Sequence, residues 1–455
     1  MAVWAEVTTG QIEYGRLDAQ FYQPEFLKRK QMLEKAGYKL RRLGLLAEKI
    51  DVGYVGPMPP EYRDQGVLLL RSQNVREFQI DTDKNPIFIS ETFHWKLRKS
   101  QVHPGDILIT RSGVAGNVAI VPEDFPVANS ADIILVRLRP GIDPLYVVAF
   151  INSNFGRFQV QRQVSGGIQG HLNLTIAEDI LIPEIPPQLQ AEIGEAIEAG
   201  LNLASKANSL YLAAQRILQG ELGLDKFDFP HRLGYETRLF EASQARRWDA
   251  QHYRPKYKEL LDAVRRAPSN RLLKDIATHN QRGLQPEYVA DGPIAVVNSQ
   301  HIGSQHLAYG QFEKTSEGAF ASAARARILK NDLLVYTTGA YVGRTNVFLE
   351  DIRAVASNHV NIIRLRPEYD AAYVALVMNS PVGLLQTEKH ATGSTQAELY
   401  PSAIARFLIP LLKPKVMTAV GDKVRGSHLA LVEAKQLLEQ AKRRVEELIE
   451  QNTEA

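Results

Sequence analysis

Arg16-Leu-Asp-Ala-Gln-Phe-Tyr-Gln-Pro-Glu-Phe26 returns as Arg247-Trp-Asp-Ala-Gln-His-Tyr-Arg-Pro-Lys-Tyr257, with six of eleven positions identical at an offset of 231. Further along, Leu69-Leu-Arg-Ser-Gln-Asn-Val75 matches Val296-Val-Asn-Ser-Gln-His-Ile302 at an offset of 227. Arg137-Leu-Arg-Pro140 falls on Arg364-Leu-Arg-Pro367, and Tyr146-Val147 with Asn152-Ser153 on Tyr373-Val374 with Asn379-Ser380, still 227 residues apart. Pro183 and Pro410 keep the same register. Solenoid units measure ~20–50 residues, so a period this long marks a duplicated domain. Twice 227 is 454, and the chain has 455 residues, so one unit is used twice.

Each half has the same coarse pattern. Gly105-Asp-Ile-Leu-Ile-Thr-Arg-Ser-Gly113 and Asn117-Val-Ala-Ile-Val121 are short β-rich runs around a glycine turn, a hairpin signature. Ile133 to Leu138 is a further strand, closed by Pro140, which has no N–H for a ladder. A helix is predicted from Leu145 to Phe158. The second half repeats these elements at Asn331 to Gly339, Thr345 to Leu349, Asn361 to Arg366 and Ala371 to Leu385. Each half is therefore a mixed α+β domain.

Behind each domain, after Pro186-Pro187 and after Pro414, runs a long helical pattern. Val424, Leu431, Leu438 and Val445 recur every seven residues with Ala434, Ala441 and Leu448 between them. The positions 227 earlier are Ile197, Ala204, Tyr211 and Leu218, with Ala207 and Ala214. That spacing is a coiled-coil seam, and alanines let helices approach closely. The simplest pairing is helix on helix within this chain. At ~1.5 Å per residue, roughly 34 residues form a rod of about 50 Å. The expected division is a first domain at 1–185, a helix at 186–222, a linker at 223–240, a second domain at 241–412 and a helix at 413–455.

Composition narrows the function classes. The 54 Lys plus Arg against 51 Asp plus Glu leave a formal charge of +3, which advertises no global affinity for polyanions. With no cysteine, thiolate metal sites, cysteine nucleophiles and disulfides are excluded. No basic segment followed by an apolar run opens the sequence, and no stretch approaches ~18 apolar residues, so a cytoplasmic protein is expected. Gly113-Val-Ala-Gly-Asn117 and Gly339-Ala-Tyr-Val-Gly343 lack the lysine of a phosphate-binding loop. Asn85-Pro-Ile-Phe88 lacks the second proline of the Asn-Pro-Pro-Phe loop of amino-methyltransferases and reads as a strand entry. The histidines are scattered without metal-ligand spacing. No catalytic residue, cofactor or metal is expected.

The halves do share polar side chains in loops, at matching positions but with different identities. Arg71, Ser72, Gln73 and Asn74 correspond to Asn298, Ser299, Gln300 and His301. Arg111 and Ser112 correspond to Thr337 and Thr338, with Tyr341 and Arg344 following. Ser165-Gly-Gly-Ile-Gln-Gly-His171, carrying Gln169 and His171, corresponds to Thr392-Gly-Ser-Thr-Gln-Ala-Glu398, carrying Ser394 and Gln396. Arg suits guanine edges and Asn or Gln suit adenine, so these eighteen residues are candidate DNA contacts. Lys28, Arg29, Lys30, Arg41 and Arg42 offer charge for phosphates, although such clusters are commonly solvated faces.

The ordered double set of Gly105 to Gly113 with Gly116, Asn152-Ser153 with Gly156, Gly166 to Leu172, Ile180-Leu-Ile-Pro183 and the Pro186-Pro-Gln188 helix start resembles the specificity subunit of type I restriction-modification systems. The resemblance spans essentially the whole chain. It implies two pseudo-repeated α/β target recognition domains separated by two long antiparallel coiled-coil helices. It further implies that each domain reads half of a bipartite double-stranded DNA site, and that the helices dock two modification subunits. Restriction subunits complete such an assembly, and the specificity subunit itself has no active site. Two other readings stay open: part of a single-chain methylating nuclease, or a protein-interaction scaffold that reads no DNA.

Overall fold

The computed structural model describes residues 4–13, 16–82, 85–164, 171–226, 234–393 and 396–454. Contacts divide the chain into two compact units, Met1–Ala204 with Val432–Ala455, and Ser205–Leu431.

In the first unit an antiparallel sheet has the order Ala47–Val52, Ile133–Leu138, Ile107–Thr110, Val118–Ile120. Ile133 to Val136 and the whole of Ile107–Thr110 are buried, as a continuous apolar run predicts for a covered strand. The expected hairpin is present, with Gly113 and Gly116 at φ 70° and 87° in its loop. A second, five-stranded sheet holds a parallel pair, Val67–Arg71 beside Ala128–Ala131. Leu40–Arg42 pairs with Leu181–Pro183, tying the start of the domain to its end.

The predicted helix 145–158 is two helices, Pro144–Asn152 and Asn154–Val164. The break is built by side chains. Asn152 Oδ1 accepts from Val118 N–H at 3.2 Å while its Nδ2 donates to Val118 O at 2.8 Å, fixing the helix end to the hairpin. Ser153 Oγ donates to Phe150 O at 2.6 Å. The second helix then doubles back so closely that a Cβ on Gly156 would lie 2.3 Å from Ile151 Cα.

The second unit has a sheet in the order Ala277–Arg282, Val360–Leu365, Leu333–Tyr336, Thr345–Val347, all antiparallel. Its other four-stranded sheet again contains a parallel pair, Ile294–Val297 beside Ala354–Ala356. Ser269–Leu272 pairs with Leu408–Leu411. Here too the helix expected over 371–385 is split, into Ala371–Asn379 and Pro381–His390. Asn379 Oδ1 accepts from Thr345 N–H at 3.3 Å, and a Cβ on Gly383 would sit 1.9 Å from Met378 O.

Several repeated sequence signatures now have causes. Arg16 and Arg247 pair with Asp18 and Asp249, each at 2.6 Å. Those carboxylates accept from the N–H groups of Phe21 and His252, and Tyr22 and Tyr253 donate back to the Arg16 and Arg247 carbonyls. Pro24 and Pro255 then start helices, where a missing N–H costs nothing. The first arginine of each Arg-Leu-Arg-Pro set grips a buried aspartate through both carboxylate oxygens: Arg137 holds Asp106 at 2.8 and 2.9 Å, and Arg364 holds Asp332 at 2.8 and 2.7 Å. Before each aspartate the backbone is left-handed, at Gly105 (φ 78°) and at Asn331 (φ 71°); asparagine is among the few non-glycine residues that tolerate this.

The long helices are Pro187–Glu221 and Pro414–Glu454, of 35 and 41 residues. In the first unit, Ile193 and Ile197 share one apolar core with Leu438, Ala441, Val445 and Leu448, and with the domain's own Val147 and Phe150. A Cβ on Gly200 would lie 2.9 Å from Leu438 Cγ, and Arg444 pairs with Glu192 at 3.0 Å. In the second unit Tyr211, Ala214 and Leu218 share a core with Val420 and Val424, and Ser427 Oγ donates to Ala207 O at 2.6 Å. Of the eight seam residues named from the sequence, Ala204 and Leu431 are half-buried and the others are buried. No helix among the described residues is long and apolar enough to cross a membrane.

Replacing Gly383 by alanine forces methyl against backbone and is expected to destabilise the protein by about 2–3 kcal/mol or more, since over-packing against main chain cannot relax by a rotamer change. Gly220→Ala, in a helix with nothing within 4 Å, is expected to be neutral or to stabilise by about 0.5–1 kcal/mol. Urea or thermal denaturation of the two variants checks both signs.

Candidate nucleic-acid interface

Three segments far apart in the first half meet at Asp132, a left-handed residue (φ 55°) between the strands Ala128–Ala131 and Ile133–Leu138. Ser72 Oγ donates to its carbonyl at 2.8 Å, Ser112 Oγ to its Oδ2 at 2.8 Å, and Arg111 Nη1 pairs with its Oδ1 at 3.0 Å. Arg111 Nε also donates to Leu172 O at 2.9 Å, which brings in the end of the third loop. His171, next to it, is exposed. Asn74 is buried and builds the turn itself, its Oδ1 accepting from Arg71 N–H and its Nδ2 donating to Asp81 O, both at 3.0 Å. Arg71 donates through Nη2 to Asn85 O at 2.8 Å, and Gln73 is half-buried beside it. Gln169 lies outside the described residues.

In the second unit the corresponding turn is organised by Glu313. Its carboxylate accepts from Asn298 Nδ2 and Gln300 Nε2, each at 2.8 Å, and faces His301 Nε2 at 3.1 Å. His301 Nδ1 accepts from Asn298 N–H at 3.0 Å, the job that Asn74 performs in the first unit. These partners assign the neutral imidazole with its proton on Nε2. Tyr288 OH donates to Asn298 Oδ1 at 3.1 Å, and Ser299 is half-buried. Thr337 is buried, with both N–H and Oγ1 donating to His359 O. Thr338 Oγ1 is buried without a hydrogen-bond partner among the described residues.

The loop after Thr392 is stitched to this point by bridges from Glu398 to Thr338 and Thr392. Arg282 pairs with Glu398 at 2.7 Å and lies over the Tyr400 ring at 4.8 Å. The hydrogen bonds from Tyr400 and Arg282 hold the Glu398 carboxyl below its ordinary range. Gln396 is exposed, and Ser394 lies outside the described residues. Tyr341 is 51% exposed and carries the Arg344 guanidinium 3.7 Å above its ring, a cation–π pair that presents a flat polar face.

The loops named from the sequence are ordered by carboxylates that it did not single out, Asp132 and Glu313, because neither is near in sequence to the side chains it holds. Glu398 stands at the end of a loop already singled out, yet nothing in its spacing marks it as a ligand for Arg282. Tyr288 and Tyr400 were missed as well, and both are about half exposed. Of the five basic residues near the start, four are engaged by carboxylates, and Lys28 is exposed. Arg29 pairs with Glu25, Lys30 with Glu13 and Glu34, Arg41 with Glu184 and Arg42 with Asp179. Among the described residues no group of three or more His, Asp or Glu is placed to hold a metal ion. The arrangement offers ordered hydrogen-bond donors, acceptors and aromatic faces, the chemistry of base-edge contact.

Solved structures align with this chain over most of its length. The S subunit of a type I restriction-modification system from M. genitalium aligns over 91% of this chain and 96% of its own, at 11% identity and a TM-score of 0.44. The HsdS subunit from Thermoanaerobacter tengcongensis aligns over 91% and 97%, at 14% identity and a TM-score of 0.29. Those neighbours are type I specificity subunits. The type IIG restriction endonuclease BpuSI aligns over only 39% of this chain and 28% of its own, at 10% identity and a TM-score of 0.30. Neither a protein-family model nor a curated protein matches the sequence.

Burial holds the His301 imidazole below its ordinary 6.5, against the opposing field of Glu313. Below about 6.5 the unfolded chain takes up this proton and the folded one resists, so His301 makes stability fall with falling pH. His301→Asn, which restores the side chain of the first unit, is expected to leave the fold intact near neutral pH and to flatten that acid limb. Denaturation midpoints of the two proteins across the range test it, and identical slopes would refute the assignment.

Proposed function

We propose that the chain is the DNA sequence-specificity subunit of a type I restriction-modification complex. In this reading each unit carries a target recognition domain for one half of a bipartite site, and the paired helices set the gap and dock two modification subunits. The domains are 1–185 and 241–412, the spacers 186–222 and 413–455, and the linker 223–240. Restriction subunits join the same assembly, and this chain supplies specificity without catalysis.

One observation carries the proposal. Two domains share strand order, a split helix and the buried Asp–Arg grip, yet at the same loop positions they carry different polar side chains: Arg71 to Asn74 against Asn298 to His301, and Arg111-Ser112 against Thr337-Thr338. A pure scaffold gains nothing by varying those positions inside a retained frame. A reader of two unlike half-sites requires it, because each base pair presents its own donor and acceptor pattern in the major groove. The 3–4 spacing of buried residues along both helices fits a coiled-coil spacer. Roughly 35 residues span about 52 Å, near ~1.5 turns of B-DNA at roughly 34–36 Å per turn.

The primary experiment is a methylation map of host DNA with and without this chain: loss of one bipartite adenine-methylation motif on deletion is expected, and an unchanged map would overturn the proposal. A heptad inserted in each long helix, at Ala204 and at Leu431, is expected to lengthen the gap by about 3 base pairs, since seven residues add ~10 Å against ~3.4 Å per base pair. Selection of preferred duplexes reads this out, and altered half-site sequences with an unaltered gap would contradict it. Arg71→Ala is expected to relax one half-site and leave the other intact, as binding to a panel of singly substituted duplexes would show.

A further inference from the structure

The unit Ser205–Leu431 contains a cleft of about 480 Å³ lined by residues of the helices Pro255–Val264, Pro381–His390 and Pro401–Ile404 and of the segments beside them. Arg247, Arg265, Lys389 and Arg406 line it, with His252 and His390, and none of its lining is acidic among the described residues. Arg247 and Arg265 have outside partners, Asp249 at 2.6 Å and Asp262 at 3.0 Å, whose own side chains are 44% and 47% exposed. Glu241 exerts a field on Lys389 from outside the lining. Neither Lys389 nor Arg406 has an ion pair among the described residues.

The first unit has the corresponding cleft, and there the charge is balanced internally. It measures about 60 Å³ and is lined by Glu13, Lys30, Glu34, Arg162 and Asp179, among others. Arg162, the counterpart of Lys389, donates to Glu13 at 2.9 and 3.2 Å, and Lys30 pairs with Glu13 and Glu34. By position, Glu13 becomes Gln244, Glu34 becomes Arg265, Asp179 becomes Arg406 and Lys30 becomes Leu261. Three carboxylates are lost, two cations gained and one cation lost, so these positions are more positive by four charges. The gain coincides with an eightfold larger opening. Burial pushes the His390 imidazole down to about 3, and His252, Lys389, Arg406 and Arg247 around it add to the shift.

We infer that this second cleft binds a phosphate group, an external anion taking the part that the Glu13 carboxylate plays in the first unit. Guanidinium groups suit the geometry of a phosphate through paired N–H donors, and lysine adds a point charge. The cleft volume lies within the range of small-ligand sites, ~300–1,000 Å³. A DNA backbone phosphate and a free phosphate or pyrophosphate share this chemistry, and the inference does not depend on the loops reading bases.

The test uses the full chain with inorganic phosphate, pyrophosphate and a short DNA duplex as probes, against sodium chloride of equal ionic strength. A bound anion is expected to raise the His390 and His252 pKa values, followed by imidazole NMR, and to raise the thermal midpoint. Arg265→Glu with Arg406→Asp installs the carboxylates of the first unit and is expected to weaken binding by roughly tenfold or more. Lys389→Arg, the residue of the first unit, is expected to retain binding and controls for folding. A response to pyrophosphate identifies a small-phosphate site. A response to duplex alone, with a salt slope reduced by about 1 for each lost phosphate contact in the double variant, identifies a backbone contact. No response to any probe, or an equal response in the double variant, overturns the inference, and neither result bears on the methylation motif.

Discussion

Each long helix is held by burial of one apolar stripe in two places at once, against the other helix and inside a domain core. Isolated helices are marginal in water even when long, and their stability in proteins comes from packing an amphipathic face. Here Ile193 and Ile197 are core residues together with Val147 and Phe150, and Tyr211 and Leu218 together with Tyr373 and Leu376. Residues of the first long helix thus enter the core of each compact unit, and the boundary between the two units falls within both helices, at Ala204 and at Leu431. A substitution on the stripe would disturb a domain core as well as the helix pair.

The same packing anchors the split helices. The helix Pro144–Asn152 is wedged between the sheet and the long helices and ends at Asn152, whose amide clasps the hairpin strand. Asn379 accepts from Thr345 N–H of its own hairpin strand and donates to Tyr211 OH, so a strand, a split helix and a long helix meet in one side chain. Loops that leave so constrained a frame can vary in sequence without shifting their anchor points.

Electrostatics explains how +3 overall coexists with local order. Candidate contact side chains are held by acidic residues, Asp132 in one unit and Glu313 and Glu398 in the other, so donors are oriented before any ligand arrives. Such preorganisation lowers the entropy lost on binding. Arg29, Lys30, Arg41 and Arg42 are paired in the same manner, and the cleft around Lys389 is where the pattern of internal neutralisation lapses.

The amino-acid sequence by itself pointed to the hairpins, the central strands and the long helices, because these are local periodicities that need no knowledge of what lies across the core. Ile133 to Leu138 became a strand with the bounds its apolar run announced, and the seam residues from Ile197 to Leu218 and from Val424 to Val445 are buried or half-buried. Only the tertiary structure decided that the helix at 145–158 breaks at Ser153, since the break depends on Val118 reaching Asn152 from another element. Only the fold could gather Ser72, Ser112 and Arg111 on Asp132, because those partners lie about 20 to 60 residues apart in the chain. Hydrogen-bond partnership and charge compensation are set by distance in space, and a one-dimensional pattern carries that information only where chain neighbours are also spatial neighbours.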